Sequence, residues 1–511
     1  MTSAENDAHR GSSGGLVRVV AICGAANLLV LGALALASTW LNLLKPLSVL
    51  DGRVPFYRGV AEGFPLLGAW LPSGIRPAPW CFLAGYLGPI ALSTAIAVGL
   101  LLLLQRHRDA LPQSLPGLLL GFGVAFAVVS ATGLPILADD FFLSMSWGRM
   151  LRAGLNPYYV PMDLAIPIDT PLEGHPWPHR MAYGPLWGAI TGLVVTLGGG
   201  ATWPSGVLLK ILVTAAWIGC LWLVRAILAD RSRWHLCAGL LLVGWLPLGP
   251  TQIAGDGRND GLVALLILSW VYARQRGRPL PAVLALAASV GVKFVTAPLF
   301  LVDLVHHWRE RGQPPRAYLL PGAAALALLL AMFAPFHLGQ DVLGAYIGPS
   351  ELLRIHFLTM REAVMTIEVW TGIGLGPFPE LARLVFPLIA VAVLARYGRR
   401  PDRHGFHGAA LAVMCAVLFG LGGFVFPWYL AWLLVLAALE PSSALSRWSF
   451  GMVLLAPAVF MPENAFPARS AFVQVHVAGL FWYLGALGLG LLLRGPLARQ
   501  AAGGGLKAED P

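Results

Sequence analysis

The sequence predicts an all-α, polytopic integral membrane protein with about 11 to 14 transmembrane helices and long extracytoplasmic loops. Three observations predict it. Of 511 residues, 57% are hydrophobic and only 12% charged, where soluble globular proteins carry about 25% charge. Mean hydropathy is +0.71. Apolar runs long enough to cross or enter a bilayer recur along most of the chain, punctuated by arginine clusters. The net charge of +10 marks cytoplasmic loops of a membrane protein rather than nucleic-acid binding.

Residues 1–15 are polar and rich in Ser and Gly, a composition that predicts disorder on the cytoplasmic side. The run 16–38 is too long for a signal-peptide core and reads as a retained first span. Further runs lie near 79–104, 115–137, 183–200, 206–229, 235–254, 260–273, 280–304, 317–336, 379–396, 407–425, 428–439, 447–460 and 472–493. They place one membrane domain over 16–494, and a polar, Gly-rich cytoplasmic tail follows over 495–511. The cysteines Cys23, Cys81, Cys220, Cys237 and Cys415 are scattered through apolar sequence, as small core residues are.

Basic clusters at Arg106/Arg108, Arg225/Arg231/Arg233, Arg274/Arg276/Arg278, Arg309/Arg311/Arg316, Arg396/Arg399/Arg400/Arg403 and Arg494/Arg499 belong on the cytoplasmic face. The opposite face then receives loops near 39–78, 138–182 and 337–378, the turn near 255–260, and the Phe426–Tyr429 turn with 461–470. One conflict remains open at this level. Two full spans between Tyr183 and Arg225 would send the 225–233 cluster outside. Either one of those runs does not cross, or the rule fails there.

The chemistry-bearing residues gather on that outer face. Asp139 and Asp140 follow directly on the run 115–137, where a charge beside hydrocarbon is costly and points to function. The structural alternative is that they only mark the water interface. If 140–152 is helical, Asp140 shares a face with Ser144, Trp147 and Leu151, and Arg149 points away. The Gly154-Leu155-Asn156-Pro157-Tyr158 segment reads as a helix end and a turn. Tyr183, in Met181-Ala182-Tyr183-Gly184-Pro185, stands at a membrane boundary, where tyrosines are also ordinary belt residues. The turn Gly255-Asp256-Gly257-Arg258-Asn259-Asp260-Gly261 packs two carboxylates, a cation and an amide between apolar runs. Lys293 sits near the middle of the run 280–304, which we read as a hairpin with the lysine at its tip. An ammonium there needs water or a partner; a structural ion pair is the alternative, and a phosphate is the reading we favour. The loop 350–368 adds Arg354, His356, Arg361 and Glu362, a cradle for a leaving phosphate or simply a solvated loop. No H-E-x-x-H, Walker A, G-x-S-x-G or Cys/His metal spacing occurs.

The order of DDFFLSMSWGRMLRAGLNPYY, AYGPLW, GDGRNDG, GVKFVTAPLF and FPWYLAW resembles the GT-C glycosyltransferases. It is most similar to the bacterial polyprenol-phosphomannose-dependent α-1,6-mannosyltransferases, over about 115–440. The resemblance implies a GT-C type fold and places the catalytic aspartate at Asp140, with Asp139 beside it. It places the family's Asn-Asp turn at Asn259 and Asp260, and its helix-breaking lysine at Lys293. Phe141-Phe142-Leu143-Ser144 departs from the Tyr-containing stretch frequent after that aspartate, and Asp256 and Arg258 replace small or polar residues.

The expected activity is inverting transfer of a sugar, mannose by resemblance, from a polyprenyl-phosphate donor to a glycan or glycolipid acceptor at the outer face of the lipid bilayer. Asp140 is the expected general base. Lys293, Arg258 and Arg354 are the expected donor-phosphate ligands. Asn156, Tyr158, Tyr183, Asn259, Asp260, His356 and Trp428 are the expected substrate contacts. Neither a cofactor nor a metal ion is expected, and no nucleic-acid partner. A lipid-linked glycan transporter or flippase, or a GT-C enzyme using another lipid-phosphate sugar, would present much the same features.

Overall fold

A computed structural model describes residues 3–43, 79–137, 140–161, 180–309, 314–336, 359–400, 403–422, 425–465 and 468–493. Asp139, Arg354 and His356 lie outside the described residues, as do 44–78, 162–179 and 337–358 of the expected outer loops and the tail from 494 on. Among the described residues there is no strand.

The first helices are α1 (Ser3–Leu43), α2 (Pro79–Arg106) and α3 (Leu115–Ala131), with α2 and α3 each packed against α1. Helix α1 begins at Ser3, inside the segment that composition marks as disordered. Ala4, Glu5, Ala8 and Arg10 there are good helix formers, so propensity extends the apolar helix backward. Next come α4 (Asp140–Arg152), α5 (Pro185–Leu197), α6 (Thr202–Ile227) and α7 (Arg233–Trp245). A π-helical segment, Leu248–Gly255, bends 44° away from α7. After it run α8 (Asp260–Gln275), α9 (Pro279–Val292), α10 (Leu299–Arg309) and α11 (Leu319–Phe333). The C-terminal part holds α12 (Met360–Thr371), α13 (Phe378–Ala382), α14 (Val385–Arg399), α15 (Arg403–Cys415), α16 (Leu430–Ala437), α17 (Ala444–Ala465) and α18 (Ala468–Leu492).

Among the described residues five helices are long and apolar enough to cross a membrane, and a sixth if the bent pair of α7 and Leu248–Gly255 is one span. The other apolar helices contribute described apolar stretches of 10–17 residues. The protein is an all-α polytopic membrane protein. Leu29, Leu36, Leu197, Leu320 and Val391 stay exposed on the outside, as lipid-facing residues do, while every residue of α16 is buried.

Charged side chains fix the direction of the helices around the site. Helix α8 has 16 residues, about 24 Å at 1.5 Å per residue. Lys293 meets Asp260 at its start, and Asp303 on α10 meets Arg274 in its last turn. The chain therefore reverses at Lys293. Helix α3 likewise ends beside Lys210 of α6, and Arg233 donates to the carbonyl of Leu111 just ahead of its start. Arg225, Arg231 and Arg233 thus sit at the end of the bundle opposite Asp260 and Lys293.

Helix α5 resolves the conflict left by the arginine pattern. It has 13 residues, about 20 Å, against a hydrocarbon core of about 30 Å. It runs alongside α4 in the same direction: Trp187 bonds Ser144, and Thr191 abuts Gly148. The run 183–200 does not cross on its own.

Candidate active site

The site is built on a lysine that sequence reasoning missed. Lys210 of α6 donates to the carbonyls of Ala131 (3.2 Å), Gly133 and Gly255 (2.5 Å). The ends of α3 and of the π-helical segment leave carbonyls without helical partners, and a cation satisfies them. Its signal was a lone ammonium inside the run 206–229. Next to it, Asp256 accepts from the backbone of Ile136 at 2.7 Å, tying the segment ahead of Asp140 to the turn 255–261.

Gly257 then takes φ 72°, a left-handed conformation that favours glycine. A Cβ there would stand 2.7 Å from the ring of Phe141. The bend aims Arg258 at Asp140, the first residue of α4, and the two form an ion pair. The Asp140 side chain is 28% exposed and that of Arg258 only 1%. The carboxylate can thus be reached from outside, and the guanidinium cannot retreat into water. Arg258 lies over the indole of Trp428 at 3.3 Å from the ring centroid, and Trp428 stacks on Phe426. Arg149 instead donates to the carbonyl of Gly200, as its position on α4 implies.

The same turn carries a second pair. Asp260 opens α8 and accepts from Lys293 at 2.7 Å, with both side chains buried. Helix α9 stops at that lysine, whose backbone is extended. Gly184 makes this possible by close approach: its N–H donates to Val292 at 2.9 Å, and a Cβ on it would strike the carbonyl of Gly291. The Lys293 ammonium lies 4.3 Å from the centre of Tyr429 and 5.1 Å from those of Tyr183 and Trp432. Aromatic faces stabilise a desolvated cation.

Asp140, Arg258, Asn259, Asp260, Lys293, Tyr183 and Trp428 therefore come together, joined through the turn 255–261. Two aspartates balance two cations. Buried donors remain within it: Nε and Nη2 of Arg258 and Nδ2 of Asn259 have no hydrogen-bond partner among the described residues. Asn156 and Tyr158 are bonded to the segments around Tyr183 and Phe336. The Asn156 amide donates to Phe336 and accepts from the backbone of Tyr158, and the fully buried Tyr158 donates to the carbonyl of Tyr183. Both hold Tyr183 in place. Among the described residues no three His, Cys, Asp or Glu side chains are gathered as a metal ion would require.

Comparison with known proteins bears on the same region. Residues 65–310 match a family model described as alpha-(1->6)-mannopyranosyltransferase, N-terminal domain. The resemblance to bacterial α-1,6-mannosyltransferases holds. The match contains Asp140, Tyr183, Arg258, Asn259, Asp260 and Lys293; Trp428 lies beyond it. The chain is also 26% identical over 333 residues to alpha-(1->6)-mannopyranosyltransferase A of Mycobacterium tuberculosis. That alignment covers 60% of this chain and spans 62% of the length of the relative.

Proposed function

We propose that the protein is a membrane glycosyltransferase that moves mannose from a polyprenyl-phosphate donor to a glycan or glycolipid acceptor, with inversion at the anomeric carbon. The observation that carries this reading is the doubled ion pair on one turn, in which Arg258 and Asn259 still hold buried donors without partners among the described residues. A buried donor left unmade costs about 1–3 kcal/mol, and a phosphate would satisfy several at once. The mannose assignment rests on the relatives, whose names specify an α-(1→6)-mannopyranosyl product.

In this reaction an acceptor hydroxyl attacks the anomeric carbon while the bond to the phosphate oxygen breaks. The hydroxyl proton passes to Asp140, the accessible carboxylate. The bonding electrons leave with the lipid phosphate, which changes from a diester with one negative charge to a monoester with two. Arg258 couples the two events. Asp140 loses its charge on taking the proton, so the Arg258 guanidinium becomes available to the phosphate as the phosphate gains its own. Asp260 keeps Lys293 charged and in place for the same anion. Tyr183 and Trp428 supply flat apolar faces for the sugar or the prenyl chain.

Charge supports an extracytoplasmic site. Arg225, Arg231 and Arg233 lie at the end of the bundle away from Asp140, and arginine-rich ends face the cytoplasm.

The test is a donor screen with purified protein in nanodiscs. Polyprenyl-phosphomannose with acceptor should yield free polyprenyl phosphate and one mannosylated product. Lipid redistribution between leaflets without phosphate release would make the protein a flippase and defeat the proposal.

A further inference from the structure

Each cation of the doubled ion pair meets an aromatic ring, and two adjacent residues of one turn supply these rings. Phe426 is extended, as the residue before a proline is. Pro427, Trp428 and Tyr429 then form a single 3₁₀ turn, in which the Tyr429 N–H donates to the carbonyl of Phe426 at 3.0 Å. The rings of Trp428 and Tyr429 stand at 89° to one another, so they serve different neighbours. Trp428 meets Arg258 at 3.3 Å from the ring centroid, and Tyr429 meets Lys293 at 4.3 Å. Helix α16 follows directly, is buried throughout, and packs on α8, the helix that Asp260 opens. The turn is thus carried by the same packed helices as the acid that Lys293 meets.

An ammonium has three N–H groups, and the hydrogen bond from Lys293 to Asp260 uses one of them. The same ammonium is flanked by the rings of Tyr429, Tyr183 and Trp432. An aromatic ring attracts a cation through its quadrupole but competes only weakly for its N–H groups. A second carboxylate in that place would hold the lysine and cancel its charge. Rings hold it and leave both the charge and the remaining protons to a phosphate. Tyr429 is the nearest of the three rings, and Trp432 braces it, with ring centroids 4.9 Å apart and planes at 13°. The family match ends at residue 310, so this aromatic cover comes from sequence beyond it.

We propose that Tyr429 is a positioning residue for the transfer: its ring holds the Lys293 ammonium in place for the leaving phosphate without occupying the N–H groups that the phosphate needs. Tyr429 acts through Lys293 and need not touch substrate. The role rests on the reaction proposed above, and two separate readouts keep the failure of one apart from the failure of the other.

The experiment grades the electron density of the ring at nearly constant size. Tyr429→Phe is the reference, and phenylalanines carrying one, two or three ring fluorines are placed at the same position of the full chain in nanodiscs. Each fluorine weakens the attraction of the ring for a cation. The single-turnover rate with polyprenyl-phosphomannose and acceptor should fall stepwise along the series, on the order of tenfold in all. The melting temperature should fall in the same order, and that trend should vanish in an Asp260→Asn/Lys293→Met background, where no ammonium faces the ring. A rate that does not follow the fluorine count overturns the positioning role, even where the melting temperature follows it. A melting trend that persists without Lys293 shows ordinary packing and also overturns it. Wild type that transfers no mannose defeats the reaction itself, and the transfer role of Tyr429 falls with it; the melting series still shows whether Tyr429 holds the cation.

Discussion

Arg258 pairs with Asp140 on one side and covers the ring of Trp428 on the other, its guanidinium carbon 3.3 Å from the ring centroid. A single cation thus links the accessible carboxylate to an aromatic wall. Such a cation is held by its surroundings before any donor arrives, so it need not be ordered during the reaction.

Replacing that cation should be costly. Arg258→Gln should lower transfer on the order of 10²-fold or more, the loss seen when one donor to a developing oxyanion is removed. Arg258→Lys should restore only part of it, because a lysine has no planar fork to meet carboxylate and phosphate together. Steady-state rates on a defined donor check both. A glutamine variant with near-normal turnover would remove Arg258 from the leaving-group role.

The buried pair of Asp260 and Lys293 makes a stability prediction. Asp260→Asn or Lys293→Met alone should destabilise the protein by about 3–5 kcal/mol, because each leaves a lone charge in a buried place. The Asp260→Asn/Lys293→Met double variant should regain much of that stability and still fail to transfer sugar. Unfolding in detergent, run beside the activity assay, separates the two effects. Double-variant stability equal to the sum of the single losses would show that the pair is not energetically coupled.

Lys210 should matter without touching substrate. Lys210→Met leaves the carbonyls of Ala131, Gly133 and Gly255 without their ammonium. A stability loss of about 1–3 kcal/mol or more is expected, with transfer reduced because the turn 255–261 shifts. The variant should unfold at lower temperature than wild type. An unchanged melting temperature would contradict the anchoring role.

Gly184 gives a steric test. A methyl group at that position meets the backbone of Gly291, which cannot move aside as a side chain end can. Gly184→Ala should destabilise by about 1–3 kcal/mol and disturb Lys293 next to it. Gly121→Ala, where a Cβ meets nothing within 4 Å, should be neutral or stabilise the helix by about 1 kcal/mol. Similar melting temperatures for the two variants would argue against close packing at Gly184.

Much of the site could be read from residue type and place alone. Asp140, the turn 255–261 and Lys293 stand out because charge inside or beside apolar runs is rare and expensive. Their pairing could not be read. Asp140 and Arg258 are 118 positions apart, and Asp260 and Lys293 are 33 apart, so partner choice is set by how helices approach one another. Arg258 was expected on the donor phosphate; the structure pairs its Nη1 with Asp140 and leaves its Nε and Nη2 without a hydrogen-bond partner among the described residues. The hydrogen bonds that Asn156 makes to Phe336 and Tyr158 to Tyr183 were likewise not legible in the sequence, because they join segments far apart in the chain. Hydropathy counted 183–200 as a candidate span, and only its helical length of 13 residues removes it.

The most direct measurement is the single-turnover rate of Asp140→Asn with polyprenyl-phosphomannose and acceptor, taken together with donor binding and melting temperature. A general base in contact with the attacking hydroxyl predicts a fall on the order of 10²-fold or more, with donor still bound and the protein folded. A folded Asp140→Asn variant that transfers sugar at close to the wild-type rate would contradict it.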